Sequence, residues 1–119
     1  MTQTQIDNEG ILEKIRTYEA SMVELDGKID DNERGLYQVQ IKRDEGYKAV
    51  HEAYFHQVMD PEDKFSNATF NRVVQERCYL DDIEIRKYKK IVSNLKRQRE
   101  TSRDLMNNWK FAAKAQLGI

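Results

Sequence analysis

The sequence has very few of the residues that end or cross-link secondary structure. Pro61 is the only proline, Cys78 is the only cysteine, and five glycines are spread over 119 residues. A single cysteine excludes an intrachain disulfide and therefore a disulfide-stapled scaffold. With 34% charged and 39% hydrophobic residues, so few turn formers exclude a fold of many short elements and favour long amphipathic helices.

Long apolar runs and a strong net charge are also missing. No run approaches the ~20 apolar residues that a membrane-spanning helix needs. The first residues contain no basic and apolar leader, so we expect no signal peptide and no membrane association. With a net charge of −1, the chain as a whole has no electrostatic attraction to nucleic acid or to anionic membranes. Together with the lone cysteine, these features predict a cytoplasmic protein.

Pro61 lies near the middle of the chain, between two stretches of helical periodicity. Proline disfavours helical geometry at the residue before it. This predicts a turn at 59–67 between a helix at about 8–58 and a second helix at about 68–117. The chain, residues 1–119, is then a single all-α domain that forms a long antiparallel helical hairpin of the coiled-coil type.

The apolar residues of the first helix recur in steps of four and three, as in a coiled coil. The seam, meaning the line of side chains that faces the partner helix, is predicted to contain Ile11, Ile15, Tyr18, Met22, Leu25, Ile29, Asn32, Leu36 and Val39. Arg43 takes the next place, so we expect the stripe to skip it and resume at Tyr47. Gly27 and Gly35 weaken the helix, and a three-helix bundle with a break near 26–35 is the alternative.

The second helix is predicted to present a stripe that is interrupted once by polar residues. The stripe contains Phe70, Val73, Val74, Leu80, Tyr88, Ile91, Val92, Leu95, Leu105, Met106, Trp109, Ala113 and Leu117, with Arg77 and Glu84 on the same face. Folding the chain at the turn sets the basic residues of 96–104 against the acidic residues of 23–31, and Tyr88 near Val39. Residues 1–59 carry 12 acidic and 7 basic side chains, and residues 60–119 carry 9 and 13, which suits antiparallel pairing.

No constellation in the sequence predicts catalysis. His51 and His56 are five residues apart, ~140° around a helix, whereas the zinc-protease motif needs two histidines four apart on one face. Cys78 lies beside the apolar stripe and is expected to be a buried small hydrophobe. A glycine-rich phosphate loop is absent from the sequence. We therefore expect no enzyme activity, no cofactor and no metal.

Several apolar residues fall off the main stripe, which indicates more surface to bury than one hairpin provides. Tyr37, Ile83 and Phe111 are of this kind, and Trp109 lies close to Phe111. Aromatic anchors dominate the energetics of interfaces. These four residues are the candidate partner contacts of a protein–protein interaction module: an adaptor, accessory chaperone or assembly component that works in a homo- or hetero-oligomer.

A basic run between residues 86 and 103 suggests a second function. It contains Arg86, Lys87, Lys89, Lys90, Lys96, Arg97, Arg99 and Arg103, against one acid, Glu100. Such a helix could follow a phosphate backbone and release counterions on binding. The alternative function is therefore a helical nucleic-acid-binding accessory protein. The same run could instead pair with the acidic part of the first helix or form an ordinary solvated face.

Overall fold

The computed structural model describes residues 2–58 and 67–118, which form two α-helices. Helix α1 is Thr2–Val58 and helix α2 is Asn67–Leu117. Gly118 follows α2 with a φ of 68°, the left-handed conformation in which glycine commonly ends a helix. The predicted turn at 59–67 lies outside the described residues except for Asn67, at which α2 begins.

Helix α1 is continuous through residues 26–35, so the three-helix alternative is wrong. The glycines and acidic residues of this segment do not break the helix because the segment packs against α2. Ile29 is buried, Asp26 accepts a hydrogen bond from Arg99, and the Tyr88 ring covers Gly35. Tertiary contacts of this kind routinely override weak helix propensity.

The chain forms two compact units, and each unit pairs part of α1 with part of α2. Unit 1 consists of residues 1–31 and 91–119. Its buried apolar residues are Ile11, Leu25 and Ile29 from α1 and Val92, Met106 and Ala113 from α2. Glu19 lies 3.9 Å from Lys110, and Ser21 lies 3.5 Å from Ser102. Since later residues of α1 meet earlier residues of α2, the helices run antiparallel.

Unit 2 consists of residues 32–90. Val39, Val50, Val74 and Cys78 are buried there, and Phe70 and Val73 pack against this core. The Phe70 ring also contacts the rings of Tyr47, His51 and Tyr54. Gly35 lies against Tyr88 and Gly46 lies against Cys78, so the helices again run antiparallel. The predicted all-α helical hairpin is confirmed.

The pairing of the helices is close to the predicted one but shifted by up to about one helical turn. Tyr88 lies against Gly35, whereas the folding argument set it near Val39. The predicted meeting of basic residues 96–104 with acidic residues 23–31 is realised in the Arg99–Asp26 ion pair. Charge pairs of this kind select the register of two helices more than they stabilise the fold.

The seam of α1 continues through Arg43, contrary to the prediction that the stripe skips it. Arg43 is half-buried, Gly46 and Val50 are buried, and Tyr47 is exposed. Arginine can occupy a seam because its aliphatic stem packs while its head reaches a partner. Gly46 can do so because the Cys78 sulfur fills the space, 3.5 Å from where a Cβ would lie. The four-and-three spacing is therefore uninterrupted at this point.

The seam of α2 also differs from the prediction in its first half. Leu80, predicted to lie in the stripe, is 76% exposed, and Arg77 and Glu84 are exposed as well. Their places are taken by Cys78, which is fully buried, and by Asp81, which is 5% exposed. The expectation that Cys78 is a buried small residue is confirmed. The prediction failed because it favoured a leucine over an aspartate and a cysteine.

Candidate functional site

A layer of charged side chains crosses the seam of unit 2, and we call Lys42, Arg43, Asp81 and Asp82 the Arg43 layer. Arg43 Nε donates a hydrogen bond of 2.9 Å to Asp82 Oδ1, and Lys42 Nζ lies 3.6 Å from Asp81 Oδ1. The hydrogen bond to Asp82 raises the pKa of Arg43 above its ordinary value. Arg43 therefore stays charged at every pH at which proteins are handled.

Cys78 belongs to the same region, because its Sγ lies 3.7 Å from the Arg43 carbonyl oxygen and donates to it. A fully buried thiol with a carbonyl partner is a packing residue rather than an exposed nucleophile. The Arg43 layer and Cys78 thus join α1 to α2.

Unit 1 contains a second polar layer, formed by Asp26, Arg99, Ser21 and Ser102. Arg99 Nε donates to Asp26 Oδ1, and the two serine hydroxyls are within hydrogen-bonding distance. The hydrogen bond to Asp26 raises the pKa of Arg99. Arg99 was a candidate nucleic-acid contact, but here its guanidinium links the two helices of the hairpin.

The four predicted partner contacts differ in accessibility. Tyr37 is 63% exposed, Phe111 is 74% exposed and Ile83 is 42% exposed. Trp109 is half-buried and lies next to the seam, one helical turn after the buried Met106. Tyr37 and Phe111 can therefore contact a partner with most of their rings, whereas Ile83 can offer less than half of its side chain and Trp109 less still.

Sequence reasoning identified Ile83 but missed the two exposed residues that lie beside it on the outside of α2. Tyr79, Leu80 and Ile83 are all exposed, and their spacing of three and four residues sets them side by side on one helical face. We call these three residues the α2 outer surface. Assigning Cys78 and Asp81 to the seam, in place of Leu80, would have placed these three residues on the outer face of α2. Single exposed apolar residues are normal, but adjacent ones mark interaction sites.

The basic run does not form one uniform face. In unit 2, Lys87, Lys89 and Lys90 are exposed, and neighbouring residues point ~100° apart around a helix. Arg86 Nε donates to the Asp82 carbonyl oxygen at 3.4 Å. In unit 1, Lys96 and Arg97 are exposed, and Arg103 pairs with Glu100.

The surface grooves of the described residues are shallow. In unit 1, a groove of about 310 Å³ lies beside Leu12, Ile15, Ala113 and the two lysines Lys110 and Lys114. Among the side chains that the structure describes, no three histidine, cysteine or acidic residues are grouped closely enough to hold a metal ion. Neither helix, over the described residues, combines the length and the apolar character needed to cross a membrane.

The fold and the exposed surfaces define an all-α helical hairpin with polar layers in its seam and apolar residues on its outside. No protein-family model, no curated protein and no solved structure matches the chain.

Proposed function

We propose that the protein is a non-enzymatic protein–protein interaction module, an adaptor, accessory chaperone or assembly component, which acts in a homo- or hetero-oligomer in the cytoplasm. The observation that carries the proposal is the exposure of large apolar side chains on the outside of both helices. Interface cores are enriched in aromatic residues, and a few buried anchors supply most of the binding energy.

A tagged pull-down from native cell extract, split into nuclease-treated and untreated halves and read by mass spectrometry, tests the proposal. We expect one stoichiometric protein, or the chain itself, to be captured in both halves. Replacing Tyr37 or Phe111 with arginine is expected to remove a captured protein from the eluate, because an aromatic anchor is lost while the helix keeps a good helix former.

Gln38→Arg and Asn108→Arg are the matched controls, since both add the same side chain at exposed polar positions and should leave the captured protein unchanged. If wild-type protein captures nothing in either half and is monomeric when purified, the interaction proposal is wrong.

The alternative is nucleic-acid binding through the basic run. The observation that favours it is that Lys87, Lys89 and Lys90 are exposed and none of them forms an ion pair with another residue in the described parts of the chain. Ammonium groups that are not already paired are available to neutralise phosphates.

Lys89→Glu combined with Lys90→Glu tests this alternative. Binding to a labelled nucleic acid should weaken steeply with salt in the wild type and disappear in the double variant, while helical circular dichroism stays the same. Binding that does not depend on salt, or no binding at low salt, would exclude this function. Captured partners that vanish on nuclease treatment would favour it over the protein-interaction proposal.

A further inference from the structure

The α2 outer surface lies at the centre of a short line of residues whose order along the helix is symmetric. Glu76, Leu80, Ile83 and Lys87 follow one another at steps of four, three and four residues, and all four are exposed. Such steps keep residues on one face of a helix. The line therefore contains an acid, two apolar residues and a base, with the apolar pair in the middle.

This order is complementary to itself when reversed. If a second α2 helix packs antiparallel on the first, Leu80 of each copy meets Ile83 of the other, and Glu76 of each copy meets Lys87 of the other. A twofold interface uses the same patch on both subunits, so the patch must match its own reverse. The symmetric spacing and the opposite charges at the two ends satisfy this requirement.

A second pair of charges flanks the line and is close to the same register. Arg77 and Glu84 are exposed, lie seven residues apart, and are centred one residue before the midpoint of Leu80 and Ile83. Neither forms an ion pair among the side chains that the structure describes. In the antiparallel arrangement Arg77 of one copy comes beside Glu84 of the other, which adds two further opposite-charge contacts. Glu76 itself lies 4.0 Å from Arg72 in an exposed i,i+4 pair, and a contact with Lys87 of a second copy would compete with that pair.

We propose that the α2 outer surface is a homodimer interface, in which two copies of this chain pack their α2 helices antiparallel around Leu80 and Ile83. The inference rests on the proposed interaction function and names a second copy as the partner. The self-complementary charges favour a second copy, because an unrelated partner would not require acid and base to be placed symmetrically about the apolar pair. Tyr79, exposed beside Leu80, adds an aromatic side chain at the edge.

Charge reversal tests the proposal through sedimentation of the purified chain over a wide concentration range. Glu76→Lys should set two lysines opposite each other, and Lys87→Glu should set two glutamates opposite each other. Because the twofold axis repeats each contact, one substitution changes two ion pairs. We expect the dissociation constant of the dimer to rise about tenfold or more for either variant.

Mixing the two variants provides the decisive result. A Glu76→Lys chain and a Lys87→Glu chain again form opposite-charge contacts with each other, so the mixture should form heterodimers although each variant alone is mostly monomeric. The combined variant, Glu76→Lys with Lys87→Glu, should form homodimers again. Glu45→Lys and Lys48→Glu, on exposed positions of α1, are the controls and should leave the dimer unchanged.

A monomeric wild type, or a dimer that the two reversals do not weaken, would overturn the proposal. So would a mixture that stays monomeric. A monomeric wild type that still captures another protein from extract would overturn this inference alone and leave the interaction function standing. Leu80→Arg gives an independent check, because it should abolish the dimer while helical circular dichroism and the unfolding midpoint of the monomer stay the same.

Discussion

Replacing Arg43 with glutamate is expected to lower the free energy of unfolding by ~2 kcal/mol. The substitution removes the ion pair with Asp82 and places a third carboxylate in a layer that already contains Asp81 and Asp82. Like charges ~4 Å apart near a protein surface repel by one to a few kcal/mol. Both partners are about one-third exposed, so solvent screening keeps the loss below that of a fully buried pair. Urea unfolding followed by helical circular dichroism measures it.

The reversed pair is the control for this prediction. Arg43→Glu with Asp82→Arg restores opposite charges across the same two positions and should recover at least half of the lost stability. Lys48→Glu makes the same change of charge sign at an exposed position of α1 and should change stability by less than ~0.5 kcal/mol. If Arg43→Glu is as mild as Lys48→Glu, the Arg43 layer does not stabilise the hairpin.

The hairpin itself could be predicted because its signals are local. The four-and-three spacing from Ile11 to Val39 needs no knowledge of the partner helix, and the sole proline, Pro61, marks the division between the helices. The excess of acid in the first half and base in the second half predicted antiparallel pairing, and Asp26 with Arg99 shows it. Composition and periodicity are therefore sufficient to predict the fold class of this chain.

The seam of unit 2 could not be predicted in the same way. Its residues fit between the helices only because of the particular residue opposite each of them on the other helix. Arg43 belongs in a seam when Asp82 lies opposite, and Gly46 when the Cys78 sulfur lies opposite. Periodicity judges each residue by its own hydrophobicity, so it rejected Arg43 and Asp81 and accepted Leu80. Polar residues at such positions commonly fix register at a cost in stability.

The error in the seam also hid part of the candidate site. Once Leu80 was assigned to the seam, the cluster that it forms with Tyr79 and Ile83 on the outside of α2 could not be recognised. Tyr37 and Phe111 lie off the seam by any count, and both are exposed. The exposed face of a helix can be predicted only as reliably as its buried face. When Leu80 is wrongly assigned to the seam, an apolar side chain that is exposed to a partner is counted as part of the core.

Gly35→Ala is expected to destabilise the hairpin by ~1 kcal/mol, although alanine is the better helix former. A Cβ at position 35 would lie 2.8 Å from the nearest atom of the Tyr88 ring and 3.0 Å from its hydroxyl oxygen. Ordinary van der Waals contact begins near 3.5 Å, so the ring must move. Overpacking of this kind costs about 1–3 kcal/mol, which exceeds the gain of up to ~1 kcal/mol from replacing glycine in a helix.

Gly27→Ala is the matched control, because nothing lies within 4 Å of a Cβ at that position. It should stabilise the protein by up to ~1 kcal/mol, so the same substitution has opposite signs at two positions of one helix. In a Tyr88→Leu background the colliding ring atoms are gone, and Gly35→Ala should then become stabilising. Urea unfolding of the four variants in this cycle measures the change of sign. Gly35→Ala could instead be equally stabilising with tyrosine and with leucine at position 88. That result would show that the ring of Tyr88 does not pack on Gly35. The close approach of the helices would then not depend on this glycine.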